Sequence, residues 1–289
     1  MATLKEIKAR IGSVQRTLKI TSVMKMVASA KFHRTQSAAK SHSLYNQQLD
    51  SLLQAVCGSP KTNQSFPLTA IHGARHRALV VAFASNSSLC GRFNANAIKA
   101  METTVEELRN KGYESVAVVP VGEKMRQAVA KGAYTTDSRL QTVVGKEALE
   151  SLPALAGLLA GQYASGEVDL VTVVYNHFRS MGHQEPLSEQ ILPMTLPLCS
   201  EDTMQPDYIF EPEPSVLLAR LLPPVLTARL QAIGLDAAMA EHAARTVAMQ
   251  TATDNAQDLL DELSLSYNKQ RQQAITNELA DITQGKVHG

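Results

Sequence analysis

From about Ser215 to about Asp281 the chain holds a helical pattern with no glycine between Gly234 and Gly285. A helix of about 65 residues would be roughly 100 Å long at 1.5 Å per residue. No ordinary globular core needs such an element, so it must find a partner helix. Between Ala256 and Ala274 the small or apolar residues fall at Ala256, Leu260, Leu263, Tyr267 and Ala274. Steps of four, three, four and seven are the spacing of a coiled-coil seam. Upstream lie Ala237, Ala238, Ala240, Ala243, Ala244, Ala248 and Ala252. Alanine has the highest helix propensity and leaves a thin rod that a neighbour can approach closely.

The partner is expected at the other end of the chain. Residues Ala2 to Val56 are helical by pattern, with Leu4, Ile7, Ile11, Val14 and Leu18 at alternating steps of three and four. The seam is then expected to shift through Ile20, Val23, Met24 and Val27 and to resume at Tyr45, Leu49, Leu52 and Val56. Thr3 and Glu6 have the spacing of a capping box at its start. Charge separates the two ends. Met1–Lys40 carries nine Lys or Arg against the single acid Glu6, whereas Pro206–Gly289 carries eleven acids against six Lys or Arg. Each run read alone is a solvated helix face. The contrast favours pairing of the two helices with each other, since charges beside a seam guide partner choice. An antiparallel pair is the expectation.

Between them the period changes. Arg77–Ala84 is a short apolar run that reads as a buried strand, as do Ser115–Val121 and Val168–Tyr175. Ile191–Leu198 reads as an edge strand, because Pro193 and Pro197 exclude a central position. Helical patterns cover Asn94–Asn110, Glu123–Ala130 and Lys146–Ser165, and Thr135–Asp137 has the look of a further extended piece. Strands alternating with helices imply a largely parallel sheet covered on its faces. Pro223 and Pro224 should kink the early part of the last helix. The expected fold is therefore α/β: a long antiparallel coiled coil of N- and C-terminal helices with an inserted Rossmann-like, largely parallel α/β domain. Its segments are residues 1–57 (first helix), 58–76 (linker), 77–205 (α/β domain) and 206–289 (last helix).

The chemistry of the chain is mostly a matter of exclusion. A net charge of +1 gives no global drive toward nucleic acid. The basic first helix offers cations for phosphates, yet it has no aromatic before Phe32 and needs an apolar partner for its seam. Cys57, Cys90 and Cys199 are odd in number and far apart, which argues against a disulfide framework and for a reducing compartment. No run of eighteen apolar residues is present, so no membrane span is expected. The N-terminus lacks the apolar core of a signal peptide. Its basic, acid-poor character resembles a transit peptide, but heptads continuing past residue 40 favour mature structure.

An α/β domain invites a nucleotide site, but no GxGxxG follows a strand, and Gly145-Lys146 lacks the earlier glycine of a P-loop because position 140 is Leu. Asn86-Ser87-Ser88-Leu89-Cys90-Gly91 follows the first strand, where such folds bind ligands, and offers hydroxyls, backbone donors and nearby Arg92. Cys90 as a nucleophile would need a base, and no histidine is near in sequence; a buried structural cysteine is the alternative. His72 and His76 are four apart but flank Gly73 in a polar linker. Met24 and Met26 suit helix packing better than a soft metal site. Asp254, Asp258, Asp261 and Glu262 suit a solvated helix face, or one opposing the basic helix, better than a metal cluster. Neither HExxH nor CxxC occurs. No catalytic residue, cofactor site or metal site is expected.

Several segments are recognisable together. Leu4-Lys5-Glu6-Ile7, Lys19-Ile20-Thr21 and Met24-Lys25-Met26-Val27-Ala28 resemble the gamma subunits of F-type ATP synthases. So do Glu241–Met249, Ala252–Ala256, Leu265-Ser266-Tyr267-Asn268-Lys269, Arg271-Gln272 and Ala274-Ile275-Thr276, and, in the middle of the chain, Leu89-Cys90-Gly91 with Phe93-Asn94. The likeness runs in order over essentially the whole chain. It implies a rotary central stalk without an active site of its own, coupling proton-driven rotation of a c-ring to the catalytic beta subunits. The implied partners are three alpha and three beta subunits, an epsilon subunit and the c-ring, with one copy of this chain per complex. The implied place is the cytoplasmic face of a bacterial inner membrane, peripheral and without insertion; no nucleic acid is involved. By position in the family, the segment Ile20 to Val27, and in it Ile20, Met24, Lys25 and Met26, should face the mobile lower part of a beta subunit, with Lys25 against an acidic loop. Asn268, Arg271 and Gln272 should make polar contacts with beta loops, and Ile275, Leu279 and Ile282 should sit in an apolar sleeve. The chain departs from the family's usual Asp-Arg-Gly-Leu-Cys-Gly-Gly segment, reading Asn86-Ser87-Ser88-Leu89-Cys90-Gly91-Arg92. It also lacks the cysteine-bearing insertion of the chloroplast form. Two other classes fit the bare pattern: a coiled-coil adaptor whose α/β domain binds a small ligand, and an α/β enzyme whose helices only dimerise it.

Overall fold

A computed structural model describes residues 3–58, 66–73, 76–141, 148–196 and 210–285. Pro60, Gly145-Lys146, Pro197, Cys199 and Pro206 lie outside the described residues, as does the side chain of Ile282. The elements in order are α1 (Leu4–Cys57), β1 (Arg77–Phe83), α2 (Phe93–Asn110), β2 (Ser115–Val121), α3 (Glu123–Lys131), α4 (Ser138–Gln141), α5 (Ala148–Ala164), β3 (Leu170–Ser180), β4 (His183–Leu192) and α6 (Pro214–Gly285). They divide into two compact units, Met1–Ser29 with Arg245–Gly289, and Ala30–Ala244.

The larger unit is built on a four-stranded sheet ordered β2-β1-β3-β4. β1 pairs in parallel with β2 and β3, and β3 pairs antiparallel with β4. The sheet is thus mixed, and its fourth strand is not the expected one. The sequence places an edge strand at Ile191–Leu198, but β4 begins at His183, straight after the Met181-Gly182 turn, and ends at Leu192. Its first seven residues are polar or half exposed, so no apolar run advertises it. Pro186 sits within it, which an edge position tolerates because one row of N–H groups faces outward.

β1 and β2 are buried on both faces, which is why they read as continuous apolar runs rather than alternating ones. Ala78, Val80 and Ala82 pack with Ala97, Met101, Val105 and Leu108 of α2 and with Met125 and Val129 of α3. Leu79, Val81 and Phe83 face the other way. They pack with Leu152, Leu155, Leu159 and Tyr163 of α5, Leu218, Leu222, Val225, Leu226, Leu230 and Ile233 of α6, and Leu49, Leu53 and Val56 of α1. By length and composition α6 contains a window apolar enough to cross a membrane, with mean hydropathy 1.4. Its Leu218, Leu222, Leu226 and Leu230 are buried in this core instead. The helix runs unbroken through Pro223 and Pro224.

Two glycines set the connections. Gly112, at φ +90°, closes α2 in a Schellman turn: its N–H donates to Arg109 O (3.0 Å) and that of Tyr113 to Leu108 O (3.2 Å). Gly122 lets the end of β2 approach β1, since a Cβ there would lie 2.0 Å from Ala84 O. Thr135–Asp137 forms no strand. Thr135 O accepts one bond from Val118 N (2.8 Å), and Asp137 then opens α4 by accepting from Arg139 N (3.0 Å). Burial pushes the Asp137 carboxyl up, but bonds from the Arg139 N–H, Gln162, Arg77 and the Arg139 side chain outweigh it and hold the carboxyl below its ordinary range.

In the smaller unit the start of α1 carries the predicted capping box: Thr3 N donates to Glu6 Oε2 (2.8 Å) and Glu6 N to Thr3 Oγ1 (3.3 Å). Thr253 Oγ1 donates to Thr21 Oγ1 (2.9 Å), and Lys25 Nζ donates to Gln250 Oε1 (2.8 Å). Numbers fall along one segment as they rise along the other, so the two run in opposite directions. Ala256, Leu260, Leu263, Tyr267 and Ala274 are buried or half-buried, as the heptad spacing requires. The expected shift of the α1 seam holds only at Met24, which is half-buried. After Leu18 the buried positions are Thr21 and Ala28, with Met24 half-buried between them, while Ile20, Val23 and Val27 are exposed. Farther along, in the larger unit, Leu49, Leu53 and Val56 face inward, and Tyr45 and Leu52 face out.

Candidate partner-binding surface

The displaced seam creates the surface. Thr21 and Ala28 are small enough for two backbones to approach, and Thr21 finds a hydroxyl partner in Thr253. Once they occupy the inward stripe, the large apolar residues beside them have nowhere to go but outward. Ile20 (60% exposed), Val23 (53%) and Val27 (50%) fall at i, i+3 and i+7, one ridge on one face of α1, with Met26 beside them. Scattered exposed apolar residues need no explanation, whereas a contiguous ridge on a polar helix is a candidate interaction site.

The residues singled out from sequence divide accordingly. Ile20 and Met26 are on the exposed ridge, while Met24 is half-buried. Lys25 is half-buried, its ammonium held by Gln250, which in turn donates to Asp254 Oδ1 (2.7 Å). An ammonium has three donors, so this bond leaves it capacity for another acceptor. On α6 of the same unit, Asn268, Arg271, Gln272, Ile275 and Leu279 are all exposed. Ile282 lies in the same helix. Sequence periodicity missed Val23 and Val27 as surface residues, because a β-branched apolar side chain reads as seam whichever way it points.

The other candidates are engaged in the fold. Asp254 and Asp261 accept amide donors from Gln250 and Gln257 on their own helix. Among the described residues no group of three or more His, Cys, Asp or Glu is placed to hold a metal. The His72 ring stacks on Tyr163 at 4.6 Å and lies 3.4 Å from Asp169, whereas the His76 ring pairs with Glu114 at 3.1 Å, so the two rings have different partners. In the larger unit the segment after β1 is an internal network. Asn94 Oδ1 accepts from Ser85 N and Ser85 Oγ, Asn94 Nδ2 donates to the buried Cys90 Sγ (3.1 Å), and Asn86 Oδ1 caps α3 by accepting from Glu123 N (3.0 Å). A cavity of about 590 Å³ beside it is lined by cations (Lys31, Arg34) and by acids (Glu150, Glu241) over an apolar floor that includes Phe83 and Val121. Burial, then the neighbouring acids, pushes Tyr163 and Tyr175 up to about 12, so both stay neutral phenols.

Comparison with known proteins bears on this arrangement. A family model described as ATP synthase matches residues 3–287. The ATP synthase gamma chain of Bacteroides fragilis is 44% identical over 291 residues, spanning 99% of this chain and 100% of the relative. That of Granulibacter bethesdensis is 36% identical over 295 residues, with 99% of each covered. Among solved structures, a chain of the Euglena gracilis mitochondrial ATP synthase (OSCP/F1/c-ring, rotational state 3) superposes with a TM-score of 0.59 at 17% identity, covering 96% of this chain and 92% of that one. A chain of the Tetrahymena thermophila mitochondrial ATP synthase central stalk and c-ring gives 0.55 at 20% identity, covering 81% and 99%. At those identities the structural likeness speaks to the fold.

Proposed function

This chain belongs to the ATP synthase gamma chain family, and from that premise we propose how its surfaces work. It is the central-stalk subunit of an F-type ATP synthase, a membrane-associated complex, and not the catalytic subunit. Residues 1–57 and 206–289 act as an antiparallel coiled-coil shaft, and residues 77–205 act as the foot. One copy turns inside a ring of three alpha and three beta subunits, with the foot against an epsilon subunit and the c-ring. The complex sits on the cytoplasmic face of a bacterial inner membrane, and this chain does not insert.

The observation that carries the reading is the exposed ridge of Ile20, Val23, Met26 and Val27. A shaft drives its ring by presenting an uneven surface, and an apolar ridge on one face of an otherwise polar helix is such a surface. Lys25, beside it, supplies a cation for an acidic loop of the beta subunit. Asn268, Arg271 and Gln272 are placed for polar contacts with beta loops. Ile275, Leu279 and Ile282 form a smooth apolar bearing, in which no single side chain matters much.

The first test is ATP hydrolysis by the isolated chain and by the chain mixed with its alpha and beta partners. Silence alone and turnover in a complex holding one copy is the expected result; turnover by the pure chain would overturn the reading. The second concerns Lys25. Lys25→Glu places like charge against the acidic loop and should lower proton-driven ATP synthesis, whereas unchanged synthesis would remove Lys25 from the contact.

A further inference from the structure

Within the larger unit, helix α6 packs on the sheet through large aliphatic side chains from Leu218 to Ile233, but beyond them its inward face narrows to alanine. Ala240 and Ala244, buried at i and i+4, pack on Phe93, Cys90 and Phe178. Methyl groups allow close approach but offer nothing directional, so this turn of the helix gains no registry of its own from packing. One turn before Ala240, on the same face, stands Asp236. Its Oδ2 lies 2.5 Å from His177 Nδ1, and its Oδ1 accepts the backbone N–H of Phe178 at 3.2 Å. One carboxylate thus holds two consecutive residues of β3, close to where the β3–β4 ladder is irregular between Phe178 and Ser180.

The strand end is itself anchored. Asn176 Nδ2 donates to Phe93 O (2.9 Å) in a buried bond, and the Phe178 ring packs on Phe32 of α1 at 5.3 Å. Glu185, the ladder partner of His177, is already engaged by Arg179 at 2.8 Å. His177 is therefore left to Asp236. Bonds to a charged acceptor are directional and about twice as strong as neutral ones.

Resting on the central-stalk reading, we infer that Asp236 is the positioning residue for the turn of α6 that leaves the leucine-packed core: it fixes that turn against the end of β3, so that load carried along the helix is passed to the strand there. The alanine face provides proximity, and the carboxylate provides registry.

The test uses the full chain in the assembled membrane complex, with two readouts: protons pumped per ATP hydrolysed, and hydrogen exchange of the Phe178 amide. In Asp236→Ala the Phe178 amide should exchange about tenfold faster or more, as loss of a bond to a charged group implies. Pumping per ATP should fall while hydrolysis continues. Asp236→Asn keeps an acceptor for the Phe178 N–H and should retain part of both, a rescue that a generic loss of stability would not produce. If Asp236→Ala does not assemble, Asp236→Asn and His177→Leu carry the test, each with a partial loss of pumping per ATP. Wild-type ratios in every variant that assembles would overturn the positioning role and leave the stalk reading standing. A wild-type complex that hydrolyses ATP but pumps nothing with this chain as its central subunit would instead sink the stalk reading.

Discussion

Neighbouring leucines on α1 show how much a single position decides. Leu52 and Leu53 are chemically identical and adjacent, yet Leu52 is 53% exposed and Leu53 is 1% exposed, packed among residues of β1, α5 and α6. Leu53→Ala should cost about 2–5 kcal/mol of stability, the usual range for emptying a leucine site in a core. Leu52→Ala should stay within about 0.5 kcal/mol. Denaturant unfolding of the two variants checks the register directly; equal losses would mean that the helix is rotated from the setting described. Heptad counting placed Leu49, Leu52 and Val56 inside and was right about the first and last. It failed at Leu52 because steps of three and four are both allowed, and only the partner surface chooses between them. Lys25 shows the same limit. Its position was plain, but its bond to Gln250, 225 residues away in the chain, follows no local pattern.

At the scale of elements, α1 demonstrates that a helix is easier to read than its orientation. The capping box at Thr3 and Glu6 and the long unbroken pattern identify it, and Gly112 ends α2 where a Schellman turn needs a left-handed residue. The exposed ridge could not be read this way, because Ile20, Val23 and Val27 supply as good a periodicity as the stripe that is buried. Its role is separable from folding. Val23→Ser combined with Val27→Ser should leave the melting temperature of the chain nearly unchanged, since surface substitutions are nearly neutral, and should weaken assembly with the alpha and beta subunits. Leu279→Ala, at an equally exposed position (58%), should affect assembly and turnover only mildly. Co-purification and ATPase activity of the reconstituted complex read both. A large fall in melting temperature for the double variant would return Val23 and Val27 to the core, and a severe loss from Leu279→Ala would argue against a smooth bearing. The edge strand β4 is the other element that stayed hidden: its polar first half carries no alternation strong enough to mark a strand, and its pairing with β3 comes from a tight turn and a free strand edge.

For the whole molecule, the chain's two ends and its middle were readable for different reasons. Helix propensity, heptad spacing, buried β runs and turn glycines are local, so the sequence by itself determined two long terminal helices, a sheet with parallel strands between them, and membership of a family recognised over nearly its full length. Which apolar stripe of α1 is buried, which strand covers the sheet edge, and which carboxylate meets which strand were decided only by the tertiary structure. The physical reason is that several faces of each element satisfy local preferences almost equally. The choice falls to contacts between distant residues: Thr21 with Thr253, Lys25 with Gln250 and Asp236 with His177. Burying small residues where backbones must approach closely pushes larger ones outward, and that displacement, rather than any motif, leaves the apolar ridge of Ile20, Val23, Met26 and Val27 exposed.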